Sequence, residues 1–346
     1  MTTTELDLAG KIVAVTGGTG TIGSAIVQRL LDTDVAQIRV YSRDESKQFD
    51  LNRRLGNDDR LRFLIGDTRD FPRLRRALEG VDYIFHTAAM KHVFACEYNP
   101  FEAVQTNIIG TQNVIEAAVD RNVSRVLFAS SDKAVSPTST MGTSKLMAEK
   151  LITAGNYWRG SHPTIFTSVR FGNVVGSRGS VLPLFLEQIA AGGPVTLTDR
   201  RMTRFIMSIE RAVDLMFGAM AIAHGGEVFV LKMPALRIED LASVLREHIS
   251  PLHGHDIEDI VIEEIGMQAG EKTAEELVAD EELSRCLETE EMYIVLPQAS
   301  SLTQRDLTYP NAHPVSATST RSDAVEPMSR DELEELLVEW KVLSPA

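Results

Sequence analysis

The sequence predicts an α/β fold in which a doubly wound parallel sheet is joined to a smaller C-terminal lobe. From Lys11 onward, short β-branched runs alternate with stretches of helical period. Such alternation is typical of a parallel sheet with helices on both faces. A glycine-rich turn directly follows the first run. After about residue 175 the rhythm changes, which indicates the lobe.

Six apolar runs are the predicted strands, because each is short, β-branched and followed by polar or turn residues. In order they read KIVAVTG, QIRVYSR, LRFLIGD, YIFHTAA, RVLFASS and TIFTSVRFGNV. Helices are predicted to begin near Thr21, Glu45, Asp70, Pro100 and Ser139. Helices at these positions would connect parallel strands through right-handed crossovers.

The second half of the chain has a looser order of elements. A helix, a strand, a helix and a strand are predicted from VLPLFLEQIAAG, PVTLTD, SIERAVDLMFGAM and EVFVLK, before an acidic segment rich in predicted helix. We therefore assign residues 1–175 to the sheet domain, to which some later segments return, and 176–300 to the lobe. Residues 301–346 are predicted to form an irregular loop, which starts near Gln298, and a closing helix capped by Ser329.

The composition argues against several classes of protein. A formal charge of −14 and an isoelectric point near 5.1 oppose broad attraction to nucleic acid or anionic lipid. Two cysteines, Cys96 and Cys286, are too few for a disulfide framework, and the histidines lack the spacing of a metal site. The sequence shows neither a signal-peptide pattern nor a run of about 18 apolar residues. We expect a cytoplasmic protein without metal, membrane or nucleic-acid partners.

The turn TGGTGTIG lies between the first predicted strand and the first helix. Alone, this spacing predicts no more than a tight turn, but in that position it is typical of dinucleotide binding in a Rossmann-type domain. Glycines allow the turn and the close approach of a pyrophosphate, which the helix N-terminus attracts. The predicted cofactor contacts in this turn are Gly17, Thr19, Gly20, Thr21, Ile22 and Gly23.

The end of the second strand indicates which dinucleotide binds. An acidic residue there would bond the ribose hydroxyls of NAD, whereas this strand ends in Ser42 and Arg43, with Lys47 one helical turn on. The two cations favour the 2′-phosphate of NADP, and the alternative is a solvated helix start. Further predicted cofactor contacts follow the third and fourth strands: Asp67, placed to meet the adenine, with Thr68, Ala88 and Ala89.

Three predicted strand ends carry polar groups, and in an open parallel sheet ligands bind beyond these carboxyl ends. The three stretches run from His86 to Lys91, from Ser130 to Lys133, and from Arg170 to Asn173. A loop then leads to Met141 and Lys145. These two residues are four positions apart and therefore share one face of a helix.

Together the motifs resemble the nucleotide-sugar branch of the extended short-chain dehydrogenases, and within it the UDP-N-acetylglucosamine 4,6-dehydratases of polysaccharide biosynthesis. The resemblance covers most of residues 11 to 275. It rests on TGGTGTIG, YSRDESKQ, GDTRD, AAMKHV, NPFEAVQTNIIGTQNV, SSDKAVSPTSTMGTSK, RFGNVVGSRGSVLP and AGEK. It implies a lyase that keeps its NADP bound, a UDP-N-acetylglucosamine-type substrate, a substrate-binding C-terminal lobe and assembly into homo-oligomers.

The reaction of that family begins when a hydride passes from C4 of the sugar to NADP⁺, which acidifies the proton at C5. A base then removes this proton, an acid protonates the departing 6-hydroxyl, and the hydride returns to C6. The resemblance implies Asp132 as the acid and Lys133 as the base. The aspartate must be protonated and the lysine neutral for part of the cycle. The alternative is a surface ion pair worth under about 1 kcal/mol.

Met141 departs from the common family pattern, which has a tyrosine here to withdraw the 4-hydroxyl proton. A thioether cannot accept that proton. The resemblance to a methionine subset of the family implies that the configuration at C5 is retained. We predict that Ser131, or Ser130, relays the proton toward Lys145, or that Asp132 takes it. The alternative role of the serines is hydrogen bonding to backbone.

Four residues are predicted to contact the substrate. Arg204 could grip a diphosphate through two hydrogen bonds, and Asn173 ends a strand beside the site. Glu271 lies in AGEK, although Gln268 and Ala269 replace the family's Arg-Pro just before it. Lys91 could equally be a surface lysine.

Two other functions remain open at this stage. One is a 4-epimerase or 5,6-dehydratase on the same scaffold, and the other is a non-catalytic NADPH-sensing protein. The pairing of Asp132 with Lys133 favours elimination over epimerisation.

Overall fold

The first half of the protein alternates strand and helix as the sequence predicts. The computed structural model describes residues 6–177, 179–298, 309–316 and 320–343. Its first six strands are β1 (Ile12–Thr16), β2 (Gln37–Ser42), β3 (Leu61–Ile65), β4 (Tyr83–His86), β5 (Arg125–Ala129) and β6 (Ile165–Arg170). The helices between them are α1 (Thr21–Leu31), α2 (Glu45–Arg54), α3 (Phe71–Ala77), α4 (Val93–Tyr98), α5 (Pro100–Ala103), α6 (Gly110–Asp120) and α7 (Thr140–Trp158).

The second half begins with the short strand β7 (Asn173–Val174). The predicted helix–strand–helix–strand order follows: α8 (Val181–Ala190), β8 (Val195–Leu197), β9 (Thr203–Met207), α9 (Ile209–Ile222) and β10 (Val228–Leu231), with β9 as an additional strand. The remaining elements are β11 (Ala235–Arg237), α10 (Ile238–Ile249), β12 (Ile262–Glu264), α11 (Asp280–Leu283), β13 (Cys286–Glu288), β14 (Met292–Val295), β15 (His313–Pro314) and α12 (Arg330–Glu339).

The main sheet has ten strands in the order β15-β13-β14-β10-β6-β5-β4-β1-β2-β3. The seven strands from β10 to β3 are parallel, which confirms the predicted doubly wound sheet. The last three strands, β14, β13 and β15, are antiparallel and were not predicted. The direction of winding reverses between β1 and β4, and ligands of such sheets bind in the crevice at that reversal.

Apolar side chains cover both faces of the main sheet because successive residues of a strand point to opposite faces. Val13 and Val15 of β1 belong to one buried cluster and Ala14 to the other. A third cluster holds the smaller lobe together and includes Leu333 and Leu337 of α12. The predicted cap of α12 is confirmed: Ser329 and Glu332 form a reciprocal capping box.

The loop predicted from Gln298 to Glu326 lies partly outside the described residues. Its described part contains β15, and Arg321 forms an isolated antiparallel bridge with Glu276. Within the described ranges, none of the helices is both long and apolar enough to cross a membrane.

Candidate functional site

The glycine turn is packed against the ends of two neighbouring strands. Gly17 has a φ of +68°, and its N–H donates to the carbonyl oxygen of Tyr41 at 2.8 Å. A Cβ on Gly17 would lie 2.7 Å from the backbone nitrogen of Ala88. Gly20 caps α1, and a Cβ on Gly23 would overlap the carbonyl oxygen of Gly17. Gly17 and Gly23 therefore have no room for a side chain, and the turn exposes the N-terminus of α1 in the crevice.

The end of β2 carries the two predicted cations. The Arg43 side chain is 59% exposed, and its Nη1 lies 3.4 Å from Oδ2 of Asp67. Lys47 pairs with Asp44, which caps α2, at 2.7 Å. Ser42 is buried, and its Oγ accepts a hydrogen bond from Gln48 at 3.0 Å. Arg43 and Lys47 are thus near the crevice and still reachable by an anion.

Arg69 is a third cation in this region, and sequence reasoning missed it. Its Nη2 lies 2.7 Å from the same Asp67 Oδ2 that Arg43 contacts, and its Nη1 donates to Glu102 at 2.8 Å. Burial raises the pKa of Asp67, but the bonds from Arg69 and the charge of Arg43 outweigh it and hold the pKa low. The signal in the sequence was the arginine in GDTRD, two residues after the predicted adenine contact.

Thr68 and Ala89 complete the predicted cofactor residues of these strand ends. Thr68 is buried, and its Oγ1 would lie 2.7 Å from a Cβ on Gly110 of α6. Ala89 lies in the loop after β4, next to Ala88 and the glycine turn.

Buried hydrogen bonds connect β1, β4 and α6. Thr111 Oγ1 donates to the Asn107 carbonyl oxygen at 2.6 Å, and therefore accepts from His86 Nε2 at 3.0 Å. The other ring nitrogen of His86 accepts from Thr16 at 2.6 Å. Burial, with a smaller effect of Lys145, lowers the pKa of His86 to about 3. The ring is therefore neutral and structural.

Asn107 was not predicted, although it lies in the motif NPFEAVQTNIIGTQNV. It belongs to a π-helical turn, Val104–Ile109, and such turns are often found at functional sites. Its amide accepts from the Met90 N–H at 2.7 Å and donates to the Met90 carbonyl at 3.0 Å and to Ser144 at 2.8 Å. Asn107 thereby joins the segment after β4 to the helix that carries Lys145.

Asp132 and Lys133 follow β5 in a short 3₁₀ turn, and their side chains meet. The Asp132 carboxylate is fully buried. Its Oδ1 accepts from Ser131 Oγ at 2.8 Å and from Lys133 Nζ at 3.1 Å. Its Oδ2 has no hydrogen-bond partner among the described residues. Because one carboxylate oxygen is buried and unpaired, the pair differs from an exposed surface ion pair.

Lys133 makes two further contacts beyond Asp132. Its Nζ lies 3.2 Å from Asn173 Oδ1 and 3.2 Å from Glu275 Oε1. Burial disfavours its charge, but Asp132 and Glu275 more than offset burial and raise the pKa of Lys133. The lysine is therefore an ammonium ion in this arrangement. A role as base requires that this proton leave first.

The two serines before Asp132 differ in their contacts. Ser131 Oγ donates to the Asp132 carboxylate and accepts the Lys133 backbone N–H at 3.3 Å. Ser130 Oγ is buried and has no partner among the described residues. Ser131 therefore makes a backbone hydrogen bond, as in its alternative role, and also the contact with Asp132 that a proton relay would use.

Helix α7 places Met141 and Lys145 on the same side of the site. Met141 is buried in a small cluster with Cys96 and Ala103. Lys145 Nζ donates to the Ala129 carbonyl oxygen at 2.8 Å and lies 4.6 Å from the centre of the Phe128 ring. Burial lowers the pKa of Lys145 to about 8, against the opposing charge of Glu149.

The predicted substrate residues are spread more widely. Asn173 contacts Lys133, as described. Arg204 is largely buried and donates to the backbone carbonyls of Thr203, Thr273 and Lys272. Within the described ranges, the Glu271 carboxylate accepts one hydrogen bond, from the backbone N–H of Gln268 at 3.2 Å. Lys91 is exposed.

The second carboxylate that contacts Lys133, besides Asp132, belongs to Glu275, four residues after Glu271. Sequence reasoning missed Glu275 because it lies outside the motif AGEK, three residues after the motif ends. A cavity also opens from Asn173 and Arg204 into the smaller lobe, where Leu182, Ile206 and Leu236 line it.

Comparison with known proteins identifies relatives over most of the chain. The family model described as polysaccharide biosynthesis protein matches residues 13–297. An uncharacterized membrane protein of Methanocaldococcus jannaschii is 52% identical over 287 residues, which are 83% of this chain and 86% of that protein. A protein named UDP-glucose 4-epimerase from Rickettsia rickettsii is 41% identical over 303 residues, 86% of this chain and 85% of its own length.

Solved structures share the fold over the same span. Pen from Bacillus thuringiensis is 45% identical, with a TM-score of 0.91 over 97% of this chain and 100% of its own. More distant structures include a dTDP-glucose 4,6-dehydratase and a UDP-glucose 4-epimerase, at 22% and 21% identity with TM-scores of 0.67 and 0.63. At that identity the likeness shows the fold alone.

Proposed function

This chain belongs to the polysaccharide biosynthesis protein family, and on that premise we propose that it is an NADP-dependent nucleotide-sugar 4,6-dehydratase. Its substrate would be UDP-N-acetylglucosamine, and its product UDP-2-acetamido-2,6-dideoxy-4-hexulose with the C5 configuration retained. The observation that carries the proposal is the contact of buried Asp132 with Lys133 at the end of β5. Elimination of water needs an acid and a base side by side. We expect the enzyme to act in the cytoplasm as a homo-oligomer.

The glycine turn fits the proposed dinucleotide. Gly17 and Gly23 have no space for a Cβ, and the N-terminus of α1 offers backbone N–H groups to a pyrophosphate. Arg43 and Lys47 would meet the 2′-phosphate, and Lys145 the nicotinamide ribose. Bound NADP⁺ would supply a hydride acceptor for sugar C4 and a hydride donor for C6.

Met141 cannot accept the proton of the 4-hydroxyl in the first step, so another group must take it. Ser131 donates to Asp132, whereas Lys145 is bonded to the Ala129 carbonyl. These contacts favour a path in which the proton of the 4-hydroxyl reaches Asp132, directly or through Ser131, rather than Lys145. Asp132 then holds the proton that the departing 6-hydroxyl needs.

Lys133 takes the proton from C5 in the elimination step. Asp132 gives its proton to the 6-hydroxyl, which leaves as water, and the Lys133 ammonium gives one of its exchangeable protons to C5 when the hydride reaches C6. Since one amine removes and restores this proton from the same face, the configuration at C5 is retained. The atoms balance as the loss of one water molecule.

A 4-epimerase is the second candidate, because the Rickettsia rickettsii relative, 41% identical, carries that name. An epimerase needs only one base at the 4-hydroxyl and a sugar that turns in the site. An epimerase does not need an additional acid and base for the protons at C5 and the 6-hydroxyl. The contact between Asp132 and Lys133 therefore supports elimination over epimerisation.

One incubation distinguishes the candidates. Purified protein is mixed with UDP-N-acetylglucosamine in deuterated water, and the product is analysed by NMR and mass spectrometry. We expect a 4-keto-6-deoxy sugar with deuterium at C5 in the original configuration. UDP-N-acetylgalactosamine as sole product would establish the epimerase, and an inverted C5 would refute retention. A failure to convert any UDP-hexose would favour the sensing protein.

A further inference from the structure

Glu275 is a second buried carboxylate beside Lys133, and none of the predicted roles uses it. Its side chain is 2% exposed. Oε1 lies 3.2 Å from Lys133 Nζ and 3.8 Å from Arg204 Nε. Oε2 is buried without a hydrogen-bond partner in the described ranges. Burying a carboxylate oxygen without a hydrogen-bond partner costs folding free energy, so the presence of Glu275 at this position needs an explanation.

Three charged groups face Lys133 from three parts of the chain. Asp132 comes from its own turn, Glu275 from the segment before α11, and Arg204 from β9. The Lys133 ammonium thus lies between two carboxylates, and Arg204 lies next to the second one. In this arrangement two carboxylate oxygens, Asp132 Oδ1 and Glu275 Oε1, lie within hydrogen-bond distance of Lys133 and could take its proton.

The proposed reaction leaves only one of these oxygens available. Asp132 must receive the proton of the 4-hydroxyl and deliver it to the 6-hydroxyl, so it cannot also take a proton from Lys133. Yet Lys133 must be a neutral amine before it can remove the C5 proton. The proton of the resting ammonium therefore needs another acceptor.

We propose that Glu275 is a positioning residue that acts through Lys133, taking its ammonium proton before elimination and returning it after product release. The step breaks one N–H bond of Lys133 and forms one O–H bond on Glu275 Oε1. No other reactant is required. This inference rests on the proposed dehydratase function, but the contact between Glu275 and Lys133 can be tested without it.

Glu275 is held in place by a strap near the C-terminus, which we define as Thr320–Ser322. The Glu275 N–H donates to Ser322 Oγ at 3.0 Å, and the Ser322 N–H donates to the Glu275 carbonyl at 2.8 Å. Ser322 is fully buried and also bonds Thr203, the residue before Arg204, at 2.7 Å. The strap therefore joins the backbone of Glu275 to the residue before Arg204.

The test measures the protonation of Lys133 directly in the cofactor-bound protein. Trace acetic anhydride labels neutral lysines, and mass spectrometry of the Lys133 peptide across pH gives the midpoint of its labelling. In Glu275→Gln we expect this midpoint to fall by about one pH unit or more, because a nearby opposite charge is removed. Glu276→Gln is the matched control: its carboxylate bonds Ser136 at 2.8 Å and not Lys133. Its midpoint should equal that of the wild type.

The rate of elimination provides the second measurement. In Glu275→Gln no internal acceptor is left, so only the fraction of Lys133 that is already neutral when the substrate binds can act as the base; this fraction is small at neutral pH and grows as the pH rises. The kcat should then fall on the order of 10²-fold at neutral pH and recover as pH rises, with KM little changed. Damage to the fold alone would lower kcat equally at every pH. Glu275→Asp keeps the charge, and we expect it to restore part of the rate; it also serves if Glu275→Gln does not fold.

Each result decides a separate point. An unchanged labelling midpoint in Glu275→Gln, or a variant rate that keeps the wild-type pH profile, would overturn the role of Glu275. A lowered midpoint with the expected rate profile supports it. If the midpoint falls but the wild type makes no 4-keto-6-deoxy sugar, the contact of Glu275 with Lys133 stands and the dehydratase proposal fails.

Discussion

Ser131 is the residue through which we propose that the first proton leaves the sugar. Its hydroxyl donates to Asp132 at 2.8 Å, in a site where Met141 offers no acceptor. We expect Ser131→Ala to slow C4 oxidation roughly 10- to 100-fold, because Asp132 loses a hydrogen-bond donor and any relay through the hydroxyl. Transient absorbance of NADPH at 340 nm measures this step.

Ser243→Ala is a suitable control for Ser131→Ala. Ser243 bonds the Glu239 carbonyl within α10, away from the crevice, so its rate should match the wild type. An unchanged first hydride transfer in Ser131→Ala would exclude the relay and leave direct transfer to Asp132.

Arg43 is expected to select NADP over NAD. A guanidinium–phosphate bond contributes about 1.5–3 kcal/mol, so Arg43→Asp should weaken NADP binding roughly 10- to 100-fold and favour NAD. Calorimetric titration of both cofactors measures the preference. Arg53→Asp is the control, since Arg53 lies over the Phe49 ring on the exposed side of α2. Equal affinity of the wild type for both cofactors would contradict the prediction.

The limits of sequence reasoning are clearest at individual residues. The motif around Asp132 and Lys133 placed both residues at the end of the fifth strand, and the structure brings their side chains into contact. Glu275 could not be found in this way, because its contact with Lys133 depends on how a distant segment returns to the crevice and no local spacing encodes that return. Arg69 was missed although it lies only two residues after Asp67, which it contacts.

At the scale of elements, α7 is held to the sheet by a buried ion network. Arg170 of β6 makes two hydrogen bonds to Glu149 of α7, at 2.9 and 2.7 Å, and two to Glu282 of α11, at 2.6 and 2.9 Å. Glu149 is four residues after Lys145, on the same helix face. The network therefore sets the position of Lys145 relative to β5 and β6.

Arg170→Ala should destabilise the protein by about 3–5 kcal/mol, because two buried carboxylates lose their partner. Arg330 is a matched control: it also pairs with two glutamates, Glu247 and Glu334, but on the surface. Arg330→Ala should cost under about 1 kcal/mol. Urea unfolding of both variants measures the difference, and similar losses would contradict the importance of burial.

The elements that sequence predicted are those with long apolar or periodic patterns. All six early strands and the helices after them, except α4, were predicted because β-branched runs alternate with stretches of helical period. The antiparallel strands β13, β14 and β15 have only two to four residues each. Segments that short carry no reliable period, and only their pairing with β10 and each other defines them.

At the scale of the whole molecule, the C-terminal helix closes the smaller lobe. Leu337 of α12 is fully buried in the lobe cluster, whereas its neighbour Val338 is 52% exposed. Leu337→Ala should lower the free energy of unfolding by about 2–5 kcal/mol, and Val338→Ala by less than about 0.5 kcal/mol. Thermal and urea unfolding check both values. Equal effects would show that α12 does not pack as described.

The strap of Thr320–Ser322 suggests how the site could be assembled from two pieces. One fragment, ending at residue 316, would contain Lys133, Arg204 and Glu275. The other, starting at residue 320, would contain Ser322 and α12. The first fragment alone, without Ser322, should not hold Glu275 in place. Mixed together, they should bind through the Glu276–Arg321 bridge and the apolar face of α12. The protein is therefore suited to fragment complementation, with recovery of the proposed dehydratase activity reporting the reunion of the two pieces.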